Sequence, residues 1–223
     1  MKTLISLMLI AASAFAQDTK KDKPPLPPGP IIKPLPELAA WAIIFKDPGV
    51  VKGENADDQQ KDAAKPEGSP AKAPRFIVIT KSGKTYREVE TDADGQKTER
   101  WKVDGTEVSI APDGKTSITD GVAAEDFDEL KWISAANYVN VANVDGQPCF
   151  VFQDKIHVPD VVGDLDATAG ISTATQLPVY CIIGGSPQIY KFGKQSVPLT
   201  VPEIVQQALA NRKQVIGNLM KRP

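Results

Sequence analysis

The sequence predicts a mainly β protein: a curved antiparallel sheet, a half-barrel-like meander, with a short central helix and a C-terminal amphipathic helix. Three observations carry this expectation. Between Arg75 and Thr119, runs rich in Val, Ile, Thr, Tyr and Trp are cut by Ser-Gly and Asp-Gly pairs, and Asp94-Gly95, Asp104-Gly105 and Asp113-Gly114 recur roughly every ten residues. Asp-Gly supplies the positive φ of tight hairpin turns, so short runs at that spacing read as an antiparallel meander. A second set, from Asn137 to Phe192, repeats the pattern around Asp145-Gly146 and a Gly-Gly pair. One late stretch, LTVPEIVQQALANRKQVIGNLMKRP, instead carries its apolar residues at helical spacing.

At the start of the chain, Lys2 precedes an apolar run from Leu4 to Ile10, and Ala14-Phe15-Ala16 places small residues at −3 and −1 of a cleavage site before Gln17. This is the pattern of a secretory signal over residues 1–16, and the run is shorter than the roughly 20 residues a membrane-spanning helix needs. The expected product is exported, periplasmic or extracellular, with no cysteine at its first position to take a lipid. Residues 17–37 hold seven prolines between Pro24 and Pro36. Proline offers no amide to a sheet, so a disordered, polyproline-type leader is expected.

Trp41, Ile43 and Phe45 alternate with Ala42, Ile44 and Lys46, the period of a strand with one buried face. Residues 49–74 are polar and proline-punctuated and read as a disordered insert, because they cannot bury enough apolar area to offset ordering. The organisation expected is a single β-rich domain over residues 38–223 interrupted by that insert, about 150 structured residues in all. In the meander, Phe76 and Val78 are expected to face inward, with Tyr86, Trp101, Val103, Val108 and Ile110 adding apolar contacts. Arg87, Glu88, Glu90, Glu99, Arg100 and Lys102 between them leave the middle strands with one wet face.

The segment from Ala123 to Ser134 reads as the short central helix or turn. Asp126, Asp128 and Glu129 lie near its start on a solvated acidic face, and Phe127, Leu130, Trp132 and Ile133 lie toward the sheet. Tyr138–Val144 and Pro148–Asp154 form a hairpin, followed by a loop from Lys155 to Asp166. In the terminal helix, Ile204, Val205, Ala208, Leu209, Val215, Ile216, Leu219 and Met220 make one stripe expected to pack on the sheet.

The chemistry-bearing residues form no constellation. With 26 basic and 28 acidic residues, the chain has no excess of positive charge with which to hold nucleic acid. Gly83-Lys84-Thr85 and Gly114-Lys115-Thr116 lack the glycine five residues earlier that a phosphate loop requires, since Val78 and Ser109 stand there. Asp92 and Asp94 read as turn residues rather than calcium ligands, and Asp160, Asp164 and Asp166 match no ligand loop. His157, the one histidine, has no nucleophile motif beside it, and no catalytic, metal or cofactor set is expected. Cys149 and Cys181 are candidates for a disulfide in an exported chain. In a meander, however, the strand around Ala169–Ile171 would hold them about 9–10 Å apart, beyond the roughly 7 Å Cα limit for a bridge. Two buried free thiols are the competing reading.

From Ala124 onward, an acidic segment with Phe127 and Trp132 is followed by a strand at Tyr138, VDGQPCFVF, ISTATQLPVYC, a Gly-Gly turn and QIYKF. This order resembles the closing strands of the exported half-barrel superfamily of outer-membrane lipoprotein chaperones and lipoprotein-sorting proteins. Thr175, Leu177 and Pro178 match its Thr-x-Leu-Pro element, and Ser172 stands where that family usually has an acidic residue. The chain also resembles small uncharacterised exported proteins with a Pro-rich leader and a Trp-containing first strand. The superfamily likeness implies a curved sheet that binds lipid or acyl chains. The function expected is therefore a non-catalytic exported binding protein that holds a lipid, another apolar ligand or an envelope partner on its concave face. The alternative is a structural or interaction module of the envelope with a filled core.

Overall fold

The computed structural model describes residues 23–46, 74–158, 161–194 and 197–220. The signal cleavage site at Ala14, Ala16 and Gln17 and the insert expected at 49–74, Pro74 apart, lie outside these residues. In chain order the strands are β1 (Leu38–Phe45), β2 (Phe76–Ser82), β3 (Thr85–Thr91), β4 (Lys97–Val103), β5 (Thr106–Ile110) and β6 (Thr116–Asp120). After two 3-10 turns, Asp128–Leu130 and Ala135–Asn137, come β7 (Tyr138–Val144), β8 (Gln147–His157), β9 (Asp164–Ser172), β10 (Pro178–Ile183) and β11 (Ser186–Gly193), then helix α1 (Glu203–Leu219). All the strands join one antiparallel sheet in the order β6-β5-β4-β3-β2-β1-β11-β10-β9-β8-β7. The edges β6 and β7 do not pair, so the sheet stays open like half a barrel.

Turn chemistry builds each half. Asp104-Gly105, Asp145-Gly146 and Gly184-Gly185 have positive φ at both residues, the geometry whose twist matches a two-residue hairpin. The carboxylate of Asp92 closes the β3–β4 turn by accepting from the amides of Asp94 and Gln96, both at 2.9 Å. β1 then joins the meander β2–β6 to the meander β7–β11, with Trp41 opposite Ile79 on one side and Phe192 on the other.

This pairing sets which side chains face where. Trp41, Ile43, Ile77, Ile79, Phe150, Phe152, Ala169, Ile171, Cys181 and Tyr190 share one face, called here the aromatic face. The expectation that Phe76 and Val78 point inward is corrected. Ile77 and Ile79 lie opposite Ile43 and Trp41, and Val78 is exposed on the reverse face.

From β3 outward the apolar residues change sides. Trp101, Val108 and Ile118 are cross-strand neighbours on the reverse face, where Val205, Ala208 and Leu209 of α1 cover them. The helix packs only through its first turns, because the sheet ends at β6. Ile204, Val215, Leu219 and Met220, expected in the buried stripe, are exposed. Arg212 pairs with Asp120 on that edge strand.

The leader departs most from expectation. Residues 23–37 do not hang free: Leu26, Ile31, Ile32 and Leu35 pack against the aromatic-face core while the prolines between them stay largely outward. The physical reason is the face itself, whose aromatic surface the short connection after β6 covers only in part.

Candidate functional site

The leader, the connection from Val122 to Asn137 and the sheet meet on the aromatic face, and the joint is Asp126. Its carboxylate accepts from Lys81 Nζ at 2.8 and 2.9 Å, from Tyr86 Oη at 2.8 Å and from the amide of Leu35 at 3.0 Å. Lys81 also donates to the carbonyl of Leu35 at 3.4 Å. One carboxylate thus ties β2, β3 and the leader together. Burial, and then the hydrogen bond and charge of Asp126, push the Tyr86 phenol above its ordinary range.

Next to it Phe127 adopts φ 55° and ψ 47°, a left-handed conformation that costs a bulky residue about 1–3 kcal/mol. That geometry breaks the expected helix into 3-10 turns and drives the Phe127 ring inward. There it lies 5.6 Å from Trp41, 6.3 Å from Tyr190 and 6.0 Å from Phe192, centroid to centroid. Edge contacts of this kind add about 0.5–1.5 kcal/mol each, enough to offset the backbone strain.

The turn that follows brings Glu129 down onto the sheet, where Tyr190 Oη donates to its Oε1 at 2.7 Å. Burial raises the Glu129 carboxyl above its ordinary pKa, although the Tyr190 bond opposes the shift. Burial, then the charge of Glu129, raises Tyr190 in turn. Asp126 and Glu129 are therefore inward-facing, which corrects the expectation of a solvated acidic face. Only Glu125 and Asp128, both paired with Lys131, are well exposed.

On β3 and β4 the same face carries ions. Arg100 bridges to Glu90 at 2.8 Å, Lys102 to Glu88 at 2.6 Å and Arg75 to Glu90 at 2.7 Å. Burial alone would raise Glu90, but the hydrogen bonds from Arg100 and Arg75 outweigh it and hold the carboxyl below its ordinary value. Between the leader and the connection lies a cleft of about 230 Å³, lined by Ile32, Lys33, Pro34, Asp126, Phe127, Leu130 and Lys131.

The other singled-out residues do not converge here. Cys149 and Cys181 are free and buried, and the disulfide does not form. Cys149 lies opposite Ser172, and Cys181 lies opposite Ala169. The two thiols therefore project from opposite faces, with β9 between them. Burial raises both thiols, Cys181 to about 12.

His157 is exposed, 3.8 Å from Asp164, and Asp166 faces Lys155 at 3.9 Å; Asp160 lies outside the described residues. Ser172, at the position that is acidic in the half-barrel proteins, is buried and accepts from Gln147 Nε2 at 2.5 Å and the Thr175 amide at 3.3 Å. It closes the turn into Pro178 rather than presenting a charge. Beside it Gly170 is required by close approach, because a methyl there would overlap the Tyr180 ring.

No family model matches this chain, and no curated protein matches it. Two solved structures are similar in fold. The lipoprotein LppX of Mycobacterium tuberculosis is 12% identical with a TM-score of 0.37, over 74% of this chain and 90% of that one. MucB, solved in complex with MucA(peri), is 16% identical with a TM-score of 0.28, over 72% of this chain. The match spans 52% of MucB, about half its length. The chain thus shows a weak resemblance to the exported half-barrel superfamily, at the level of fold. Among the described residues no helix is long and apolar enough to cross a membrane.

Proposed function

We propose that this protein is an exported, non-catalytic interaction module of the cell envelope, with a filled core and its aromatic sheet face turned toward a protein partner. The observation that carries the reading is the leader. The face that would cradle an apolar ligand is occupied by Leu26, Ile31, Ile32 and Leu35 of the chain itself. The cleft of about 230 Å³ beside it is open and falls below the roughly 300–1,000 Å³ of small-molecule sites.

A non-catalytic role is supported by where the reactive groups spend their hydrogen bonds. Asp126 is held by Lys81, Tyr86 and Leu35, Glu129 by Tyr190, and both thiols are buried. Export is supported by the signal pattern at Ala14-Phe15-Ala16.

A second reading, a lipid or other apolar ligand beneath a lifted leader, is favoured by the buried Trp41 Nε1, which has no hydrogen-bond partner on this face. Native mass spectrometry with solvent extraction of protein purified from its host separates the two. A clean apoprotein is expected, and stoichiometric acyl chains would replace the first reading with the second.

A further inference from the structure

We infer that the aromatic face is a binding site for extended, proline-punctuated peptides with Leu or Ile anchors, and that residues 23–37 are its resident intramolecular ligand. The inference rests on the interaction-module reading and names the partner class.

The site reads backbone carbonyls. Tyr138 Oη donates to the carbonyl of Pro24 at 2.8 Å, Gln176 Nε2 to that of Pro30 at 3.2 Å, and Lys81 Nζ to that of Leu35 at 3.4 Å. A proline-rich segment has carbonyls but few amides, so a site for it must supply donors along its length. These three come from β7, from the turn before β10 and from β2, on both sides of β1 in the sheet.

The amides that do find partners belong to non-proline residues. Lys33 N donates to the carbonyl of Gln176 at 2.9 Å, and Leu35 N to Asp126 at 3.0 Å. Gln176 holds φ 56°, a left-handed conformation, while its side chain and its carbonyl meet the leader at two separate points. The anchors Leu26, Ile31, Ile32 and Leu35 enter the core cluster, and Gly29 at φ 101° lets the segment turn between the first anchor and the rest.

None of these contacts is a ladder bond of the sheet. The leader is therefore held by a ligand-like set of contacts, side-chain donors on carbonyls and apolar anchors in a groove, the mode in which extended proline-rich peptides are recognised. A partner presenting the same spacing of anchors and free carbonyls meets the same donors once the leader steps aside.

The test uses the full chain and the fluorescent peptide KPPLPPGPIIKPLPE, which copies residues 23–37. In the full chain carrying Ile31→Asp and Leu35→Asp the leader's anchors are lost, and the peptide is expected to bind. Binding to the unsubstituted chain is expected to be at least about tenfold weaker, because a tethered leader competes at an effective concentration near the millimolar range. Adding Tyr138→Phe and Gln176→Ala to the substituted chain should weaken binding, and a peptide with the two Asp substitutions should not bind. A substituted chain that keeps its β spectrum and cooperative unfolding yet takes up no peptide overturns the inference.

Hydrogen exchange of the unsubstituted chain decides independently of how that variant folds. The Lys33 and Leu35 amides should exchange at least about tenfold faster than the β1 amides, by local release of the leader. Equal protection overturns the inference, because a leader that leaves only on global unfolding cannot be exchanged for a partner. Failure of either arm with a clean apoprotein leaves the filled-core module standing. Copurified acyl chains sink that module reading without touching the peptide result.

Discussion

Replacing Asp126 by alanine tests whether the joint between leader and sheet is structural. The side chains of Lys81 and Asp126 are 12% and 15% exposed, so the pair is mostly withdrawn from water. Removing the carboxylate leaves the Lys81 ammonium with the Leu35 carbonyl at 3.4 Å and the Tyr86 ring at 5.7 Å as its remaining neighbours, and takes the acceptor from Tyr86 Oη and Leu35 N. Breaking a buried pair from one side costs about 3–5 kcal/mol, and an exposed pair about 0–1. The residual exposure places Asp126→Ala near the lower end of the buried range, about 3 kcal/mol. For a domain of this size that is a fall in Tm of roughly 6–12 °C. Urea unfolding followed by circular dichroism reads it as a lower midpoint at unchanged slope. Asp126→Asn keeps one acceptor oxygen and should lose less. Adding Lys81→Met to Asp126→Ala should restore a large part of the loss, because the stranded charge goes with its partner. A loss below about 1 kcal/mol, or strict additivity of the two substitutions, would refute the reasoning.

Three further outcomes are expected. The Glu129 carboxyl has a folded pKa above its unfolded one, so the folded state binds the proton more tightly and this group's effect on stability worsens as pH rises through the raised value. Glu129→Gln should therefore raise Tm at neutral pH and converge with the parent below the ordinary glutamate range near pH 4; a constant offset across pH refutes this. Ellman's reagent should find neither thiol in the native chain and both after unfolding without reductant, whereas no thiols after unfolding would reveal a disulfide. Trp101→Ala, a 2%-exposed residue under α1, should cost about 3–5 kcal/mol, and Arg212→Ala at the exposed Asp120 pair less than about 1, both read by urea midpoints.

The turns were legible because Asp-Gly and Gly-Gly announce their own backbone geometry, and every strand between Arg75 and Thr119 follows from them. The face of β2 was not. Phe76, Ile77, Val78 and Ile79 are apolar in succession, so no alternation distinguishes the sides, and the choice falls to β1, whose position between the two meanders is a tertiary fact. Cys149-Phe150-Val151-Phe152 hides the parity of Cys149 in the same way.

The leader was misread because proline content was weighed above the four aliphatic residues among the prolines, and those four make the contacts. Asp126 and Glu129 were misread because helical spacing was assumed through Phe127, and a left-handed residue there changes the facing of all that follows.

The change of apolar face between β2 and β4 explains why both the leader and the helix are needed. A sheet this wide cannot be covered by one short connection. The aromatic surface of β1, β2 and β7–β11 takes the leader and the 3-10 turns, and the reverse surface of β4–β6 takes α1. Where the aromatic face runs on past Tyr86, Glu88 and Glu90 on β3 meet Arg100 and Lys102 on β4. A paired row of ions can sit uncovered there, and an apolar row could not do so without inviting association. The polar row therefore marks where the covered region ends. The leader runs along the covered side only as far as Leu35 and Lys81, one strand short of that row, before turning into β1. Its length and its four anchors match the apolar surface left open by the rest of the chain, which is why a segment too rich in proline to join the sheet is held against it.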